Sequence, residues 1–351
     1  MNLLLASNVW SSILYIILAI LVLLLMILIH ELGHYVAGRI LKFKIEEFSI
    51  GFGKAIFSKT NKRGEKISLR LFPLGGYCAF AGENDDNTKN PEAFVNQKPW
   101  KRIIVLFMGA FFNFLSAIVF SFILLVSFGY DIKQIDTMSP ESINTNLQAG
   151  DIIWEVNDEK VDFAFNGTFQ ELVAKYSQDK GVKLTIERDG EMIEEYAQFY
   201  DVTAEDGSVR RVLGIQSVKT YRYNFGQALL RCIPMAVGFA WLVLKSLWML
   251  ITFQIPITAL GGTITTISVM AEAAQANIVN LFIFLPLIAA NLAMFNLIPF
   301  PALDGAHILF TTIEWIRKKP MNRKVENLIH SIGLFVLVAF VVVVDIIHFV
   351  V

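Results

Sequence analysis

The chain has 351 residues, 55% of them hydrophobic and 17% charged, with a mean hydropathy of +0.54. That composition excludes an ordinary soluble globule and fits a polytopic membrane protein. A formal net charge of -1 gives no reason to expect a nucleic-acid partner. The two cysteines, Cys78 and Cys232, form neither a disulfide framework nor a cysteine-based zinc site.

From Met1 to Ile29 there is no Asp, Glu, Lys or Arg, and Ile13 to Ile29 is apolar apart from Tyr15. No basic segment precedes this run, so it reads as a retained span, about 9–36, and not as a cleaved signal. At its end stands His30-Glu31-Leu32-Gly33-His34. On a helix, His30 and His34 are i and i+4, so both rings leave one face and reach a single tetrahedral zinc ion. Glu31 lies beside that metal and is placed to take a proton from water. HExxH is short enough to arise by chance on a solvated helix. Ionisable residues at the end of an apolar span, however, are costly and usually functional.

Residues 38–100 are polar and rich in Lys and Arg, which makes the loop cytoplasmic by the positive-inside rule. Within it, Lys66 to Phe72 alternates with strand period, Pro73-Leu74-Gly75-Gly76-Tyr77 is a turn, and Ser49 to Gly53 is strand-like. A β-hairpin beside the catalytic helix is expected. A second span, about 103–128, follows Lys101 and Arg102. Residues 131–220 then read as a small β-rich domain with turns at Asp189-Gly190 and Asp206-Gly207.

Residues 235–253 pass a hydropathy test despite Lys245. Yet 254–280 contains no Lys or Arg, and the cluster Arg317, Lys318, Lys319, Arg323 and Lys324 marks 316–326 as cytoplasmic. The chain must then cross an odd number of times between the β-rich domain and Arg317. This makes 225–253 an interfacial helix, 280–310 the third span and 332–351 the fourth. A catalytic zinc needs a third protein ligand. Asp304, after Pro299 and Pro301, lies at the same depth as His34. It suits a metal, although Asp after a proline kink also suits a helix N-cap. His307 is a weaker ligand candidate, and Asp345 falls near the outer interface and is discounted.

These motifs, taken in order, resemble the site-2 protease family, in its bacterial branch that regulates sigma factors through anti-sigma-factor cleavage. HELGH stands for the family's HExxH. Gly51-Phe52-Gly53 and Pro73-Leu74-Gly75-Gly76-Tyr77 match its glycine loop and membrane-associated hairpin. Lys98 to Arg102 and the neighbourhood of Asn113 match the start of its second span. Ala149-Gly150-Asp151 with Val156-Asn157 resembles a PDZ domain, and Asn291, Asn296, Pro299 and Leu303-Asp304-Gly305 match the third-span motif. Ala110 and Ala306 depart from common family residues.

The resemblance implies a four-span α-helical membrane protein with a membrane-associated β-hairpin and one inserted extracytoplasmic PDZ-like α+β domain. Its parts are an N-terminal membrane half (1–130), the PDZ-like domain (131–220) and a C-terminal membrane half (221–351). One Zn2+ per chain would be held by His30, His34 and Asp304, with Glu31 as the general base. Asn291, Asn296, Pro299, Gly51, Phe52, Gly53, Gly75 and Gly76 would engage an unwound substrate segment. The location implied is the bacterial inner membrane, with the active site toward the cytoplasm. Substrates would be single-span proteins, anti-sigma factors or signal-peptide remnants, trimmed beforehand by a site-1-type protease. Two other readings use the same residues. A metal-ion transporter leaves Glu31 without a necessary role, and an inactive PDZ scaffold does not explain the intact HELGH and Asp304.

Overall fold

The computed structural model describes residues 2–83, 89–203, 208–256, 258 and 260–350, so the expected turn at Asp206-Gly207 lies outside the described residues. The chain divides into two units, one made of residues 1–120 and 242–351, the other of residues 121–241.

The first unit begins with α1 (Asn2–Ile40), the apolar run and HELGH on one continuous helix. Two long antiparallel strands follow, β1 (Ile45–Thr60) and β2 (Lys66–Phe80). Residues 45–50 of β1 pair with both ends of β2, Phe48 facing Cys78 on one side and Ile67 on the other. The two strands therefore make four adjacent ribbons, with 76–80 outermost. The bends fall at glycines with positive φ, Gly51 and Gly53 in β1 and Gly75 in β2, a conformation that side chains with a Cβ resist.

The hairpin is fastened to α1 at both ends. At its turn, Glu65 is buried and accepts hydrogen bonds from Asn61 (2.6 Å), Tyr35 (3.0 Å) and Arg39 (3.2 Å). At its base, Phe43, Ile45, Phe80 and Phe94 pack with Ala37 of α1 and Val105. Burying each such ring contributes about 1.5–3 kcal/mol. Helix α2 (Pro99–Ser127) supplies Val105 and runs close to α1. A Cβ on Gly33 would collide with the Met108 carbonyl, and one on Gly109 with the ring of His34.

In the second unit the sheet contains β3 (Lys133–Met138), β4 (Ile152–Val156), β5 (Glu159–Lys160), β6 (Gly181–Arg188), β7 (Glu191–Gln198) and β10 (Ile215–Thr220), in the order β10-β3-β4-β6-β7 with β5 beside β4. A separate ribbon pairs β8 (Tyr200–Thr203) with β9 (Val209–Val212). Ile135, Ile153, Leu184 and Ile186 are fully buried on the sheet beneath Leu172 of α3 (Phe169–Lys175). Thr168 and Glu171 form a capping box at the start of α3. A bidentate pair from Arg188 to the buried Asp151 (2.7 and 2.6 Å) ties the end of β6 to the turn before β4.

The remaining helices are α4 (Phe225–Ile251), α5 (Thr263–Ala276), α6 (Val279–Asn296), α7 (Asp304–Arg317) and α8 (Arg323–Val350). Among the described residues, five helices are long and apolar enough to cross a membrane: α1, α2, α4, α6 and α8. The segment expected as one span over 280–310 is broken, with α6 ending at Asn296 and α7 starting at Asp304. Pro299 and Pro301 cause the break, since neither has an N–H to continue the helix. Helix α8 starts nine residues before the expected 332, and its first turn carries Arg323 and Glu326.

Candidate metal centre

His30 and His34 come together because α1 places them one turn apart, with ring centroids 4.7 Å apart and planes at 89°. Both are buried. Asp304 arrives as the first residue of α7. Three atoms converge: His30 Nε2 and His34 Nε2 at 3.1 Å, His30 Nε2 and Asp304 Oδ2 at 3.0 Å, His34 Nε2 and Asp304 Oδ2 at 3.3 Å. Tetrahedral zinc bonds of about 2.0–2.1 Å require ligand atoms roughly 3.3 Å apart, so the triangle fits that ion.

The hydrogen bonds assign the same role. His34 Nδ1 donates to the Val105 carbonyl at 2.8 Å, which leaves Nε2 with its lone pair. His30 Nδ1 lies 3.5 Å from the amides of both Asn113 and Asn296. Asn113 is fully buried, and its Oδ1 has no other partner. A half-turn of that amide gives the His30 Nδ1–H an acceptor and frees Nε2. Asp304 Oδ2 is also buried without a hydrogen-bond donor. Three electron-pair donors facing one point repel each other unless a cation lies between them.

Glu31 sits beside the triangle at the wall of a cavity of about 790 Å³. The main-chain N–H of Cys78 is its hydrogen-bond partner, and a Cβ on Gly76 would press on its side chain. The outer ribbon 76–80 therefore passes directly along the Glu31 carboxylate. Of the residues assigned to substrate, Phe52 and Asn296 line this cavity. Gly51, Gly53 and Gly75 set bends of the hairpin, and they, Gly76, Asn291 and Pro299 are not among the residues lining the cavity.

Sequence reading missed Glu83, also on the cavity wall, whose carboxyl burial pushes up to about 7 although the Phe80 N–H (3.3 Å) pulls it down. It also missed a buried charge network. Arg102 donates to Glu314 at 2.6 Å, and Arg323 bonds both Glu314 (2.7 Å) and Glu326 (2.5 Å). Arg102 and Arg323 were legible only as basic residues flanking spans, and Glu314 and Glu326 were not.

His307 joins Glu326 and His330 in a second group with metal-ligand types within reach of one another. The arrangement does not suit a metal. His330 Nδ1 accepts the Ala302 N–H at 3.0 Å, so its proton sits on Nε2 and no lone pair remains. Glu326 is already neutralised by Arg323. Asp345, discounted as a ligand, instead caps α5, accepting from the Ile264 N–H (3.1 Å), the Thr265 N–H (2.9 Å) and the Thr265 hydroxyl (2.8 Å).

A two-histidine, one-aspartate cluster with an adjacent glutamate, in a chain of long apolar helices, defines a metalloprotease in a membrane protein. Residues 18–340 match Peptidase family M50, and the chain belongs to that family. It is 30% identical over 336 residues to a Campylobacter jejuni protein named "Putative zinc metalloprotease", with 89% of this chain and 87% of that one covered. Proteins of the same printed name are similar in Helicobacter pylori (30% identical; 92% and 95% covered) and Clostridium perfringens (29%; 95% and 97%). Zinc is the metal these names imply, and the ligand triangle fits it.

Proposed function

We propose that the chain is a zinc-dependent intramembrane endopeptidase that cuts the spans of single-pass proteins. The observation that carries this reading is the His30–His34–Asp304 triangle beside Glu31, at the end of a helix with no charged residue before His30. Zinc bound there supplies Lewis-acid polarisation of the scissile carbonyl and acidifies water. Glu31 accepts the proton of the attacking water and delivers it to the leaving amine nitrogen. His34 and His30 keep their Nε2 atoms aimed at the centre through Val105 and Asn113. Asn296, at the end of α6, faces the cavity and is available to the substrate backbone.

A helical substrate hides its carbonyls and must unwind before attack, and its freed backbone groups then need partners. The outer ribbon 76–80 pairs with β1 on one side only, and its other side carries the Cys78 N–H that Glu31 holds, so we assign it to hold the opened segment by strand addition once substrate displaces that contact.

We assign the chain to the sigma-regulating branch, with residues 131–220 as a single extracytoplasmic PDZ-like filter. It acts after a site-1-type protease has trimmed an anti-sigma factor or signal-peptide-like substrate. In this reading four helices span the bacterial inner membrane, α4 lies along the outer interface, and the active site is toward the cytoplasm. The basic loop 38–100 and the cluster around Arg317–Lys324 support that orientation.

The test is cleavage of a trimmed single-span reporter in membranes by this chain and by its Glu31→Gln variant. A cut within the span, absent with the variant and with a zinc chelator, is expected. Equal cutting by both would overturn the assignment.

A further inference from the structure

We propose that α8 is the element that positions the third metal ligand, with His330 and Gly333 clamping the turn that presents Asp304. The proposal rests on the reading of Asp304 as a zinc ligand. Asp304 is the first residue of α7 and has no helix before it, so its direction is set by the turn 299–303. Within that turn Ala302 has φ +85°, a left-handed conformation that a residue with a Cβ adopts only when its surroundings compel it. The turn's own hydrogen bonds, Phe300 N–H to Ile298 and Leu303 N–H to Phe300, do not involve the Ala302 N–H. That N–H donates out of the turn, to His330 Nδ1 on α8, at 3.0 Å.

The His330 ring is itself fixed. It stacks on His307 at 3.7 Å with planes 6° apart and meets the edge of Phe310 at 5.4 Å. Both partners lie on α7, the helix that Asp304 opens. One turn further along α8, Gly333 lies so close to Pro301 that a Cβ there would overlap the proline ring and its carbonyl. Two contacts from one face of α8 thus grip successive residues, Pro301 and Ala302, just before the ligand. Neither His330 nor Gly333 reaches the ligand triangle. They act through the two peptide links from Ala302 to Asp304, as positioning residues.

The test measures zinc affinity of the full-length chain in detergent by competition with a chromogenic chelator, with amide exchange as a check on folding. His330→Ala removes the acceptor, and a loss of about 10-fold in zinc affinity is expected, the lower end for groups that orient a ligand. His330→Asn places an amide oxygen where Nδ1 stood and should stay within about 3-fold of the wild type. Ala302→Gly removes the conformational penalty, so the double variant His330→Ala/Ala302→Gly should recover most of the loss. Gly333→Ala should weaken zinc as His330→Ala does. Unchanged zinc affinity in His330→Ala would overturn the proposal. So would equal losses in His330→Ala and His330→Asn, which would mean the ring only fills space, or no recovery in the double variant. Asp304→Asn separates the two readings. If it holds zinc like the wild type, the ligand assignment fails, and if it loses zinc while His330→Ala does not, only the clamp fails.

Discussion

Asp304 and Asp345 are both carboxylates in the apolar C-terminal part of the chain, and their surroundings differ in kind. Asp345 is surrounded by donors, two main-chain N–H groups and a hydroxyl at the start of α5. Asp304 Oδ2 is buried among acceptors, two imidazole nitrogens at 3.0 and 3.3 Å, with no donor of its own. The first arrangement is complete, and the second has the form that a cation would complete. Burial of a carboxylate in an apolar segment therefore does not identify a site. The sign of its neighbours does.

The largest effect expected from this contrast is at the open carboxylate. Asp304→Asn should abolish tight zinc binding and activity together, whereas Glu31→Gln should keep zinc and lower the turnover number by about 10²–10⁴-fold. Metal content and reporter cleavage measured on both variants decide it. Zinc loss in Glu31→Gln would make Glu31 a ligand and undo the division of roles.

The charge network gives an intermediate case, a buried ion pair whose charges are balanced without a metal. Arg102→Ala leaves buried Glu314 with only Arg323 and the Met321 N–H, and a loss of about 3 kcal/mol of stability is expected with zinc affinity kept in the folded fraction. Denaturant midpoints in detergent measure this. An undiminished midpoint would mean that water or Arg323 replaces the lost partner.

Asp345→Ala should cost about 2 kcal/mol, since the N–H groups opening α5 lose their acceptor, and should leave zinc binding intact. Thermal unfolding and zinc titration of the same sample check both halves. If zinc affinity fell as far as in Asp304→Asn, the contrast between the two aspartates would collapse.

Much of the centre was legible because it is written in side chains at fixed spacing. His30 and His34 need only a helix to meet, and the prolines before Asp304 announce a break that turns a carboxylate inward. What escaped is carried by the main chain or by distant elements. The Val105 carbonyl orients His34, yet every residue has a carbonyl. Asp345 caps α5 by accepting mostly from main-chain N–H groups, so its use stayed invisible in the sequence. His330 and Glu83 carry no motif, and only the packing of α8 and the end of β2 brings them near the centre. The hairpin was legible as strand alternation, but its folding into four ribbons depends on φ at Gly51, Gly53 and Gly75, which pattern alone does not specify.

A third carboxylate, Glu47 in the hairpin, extends the comparison and gives the smallest effect. Burial alone would raise its pKa, but hydrogen bonds from Ser68 (2.5 Å), Arg70 (2.7 Å) and Tyr77 outweigh it and hold the carboxyl at about 2 against an ordinary 4.5. A depressed acid stabilises the folded form only while ionised. Its contribution is fully present above about pH 4.5 and is lost as the pH falls through 2. Solvent near the pair limits the contribution to about 1 kcal/mol, or roughly 5-fold in local protection. Amide-exchange protection of residues 45–60 and 66–80, corrected for intrinsic rates, should decline by roughly 3-fold between pH 5 and pH 2.5, most of that contribution being lost there. Glu47→Gln should start lower and lose this part of the slope. A variant whose pH profile matches the wild type would show that the donors around Glu47 serve the neutral acid equally well. In that case, donors alone would not mark a carboxylate as complete, and the rule separating Asp345 from Asp304 would need the metal measurement to stand.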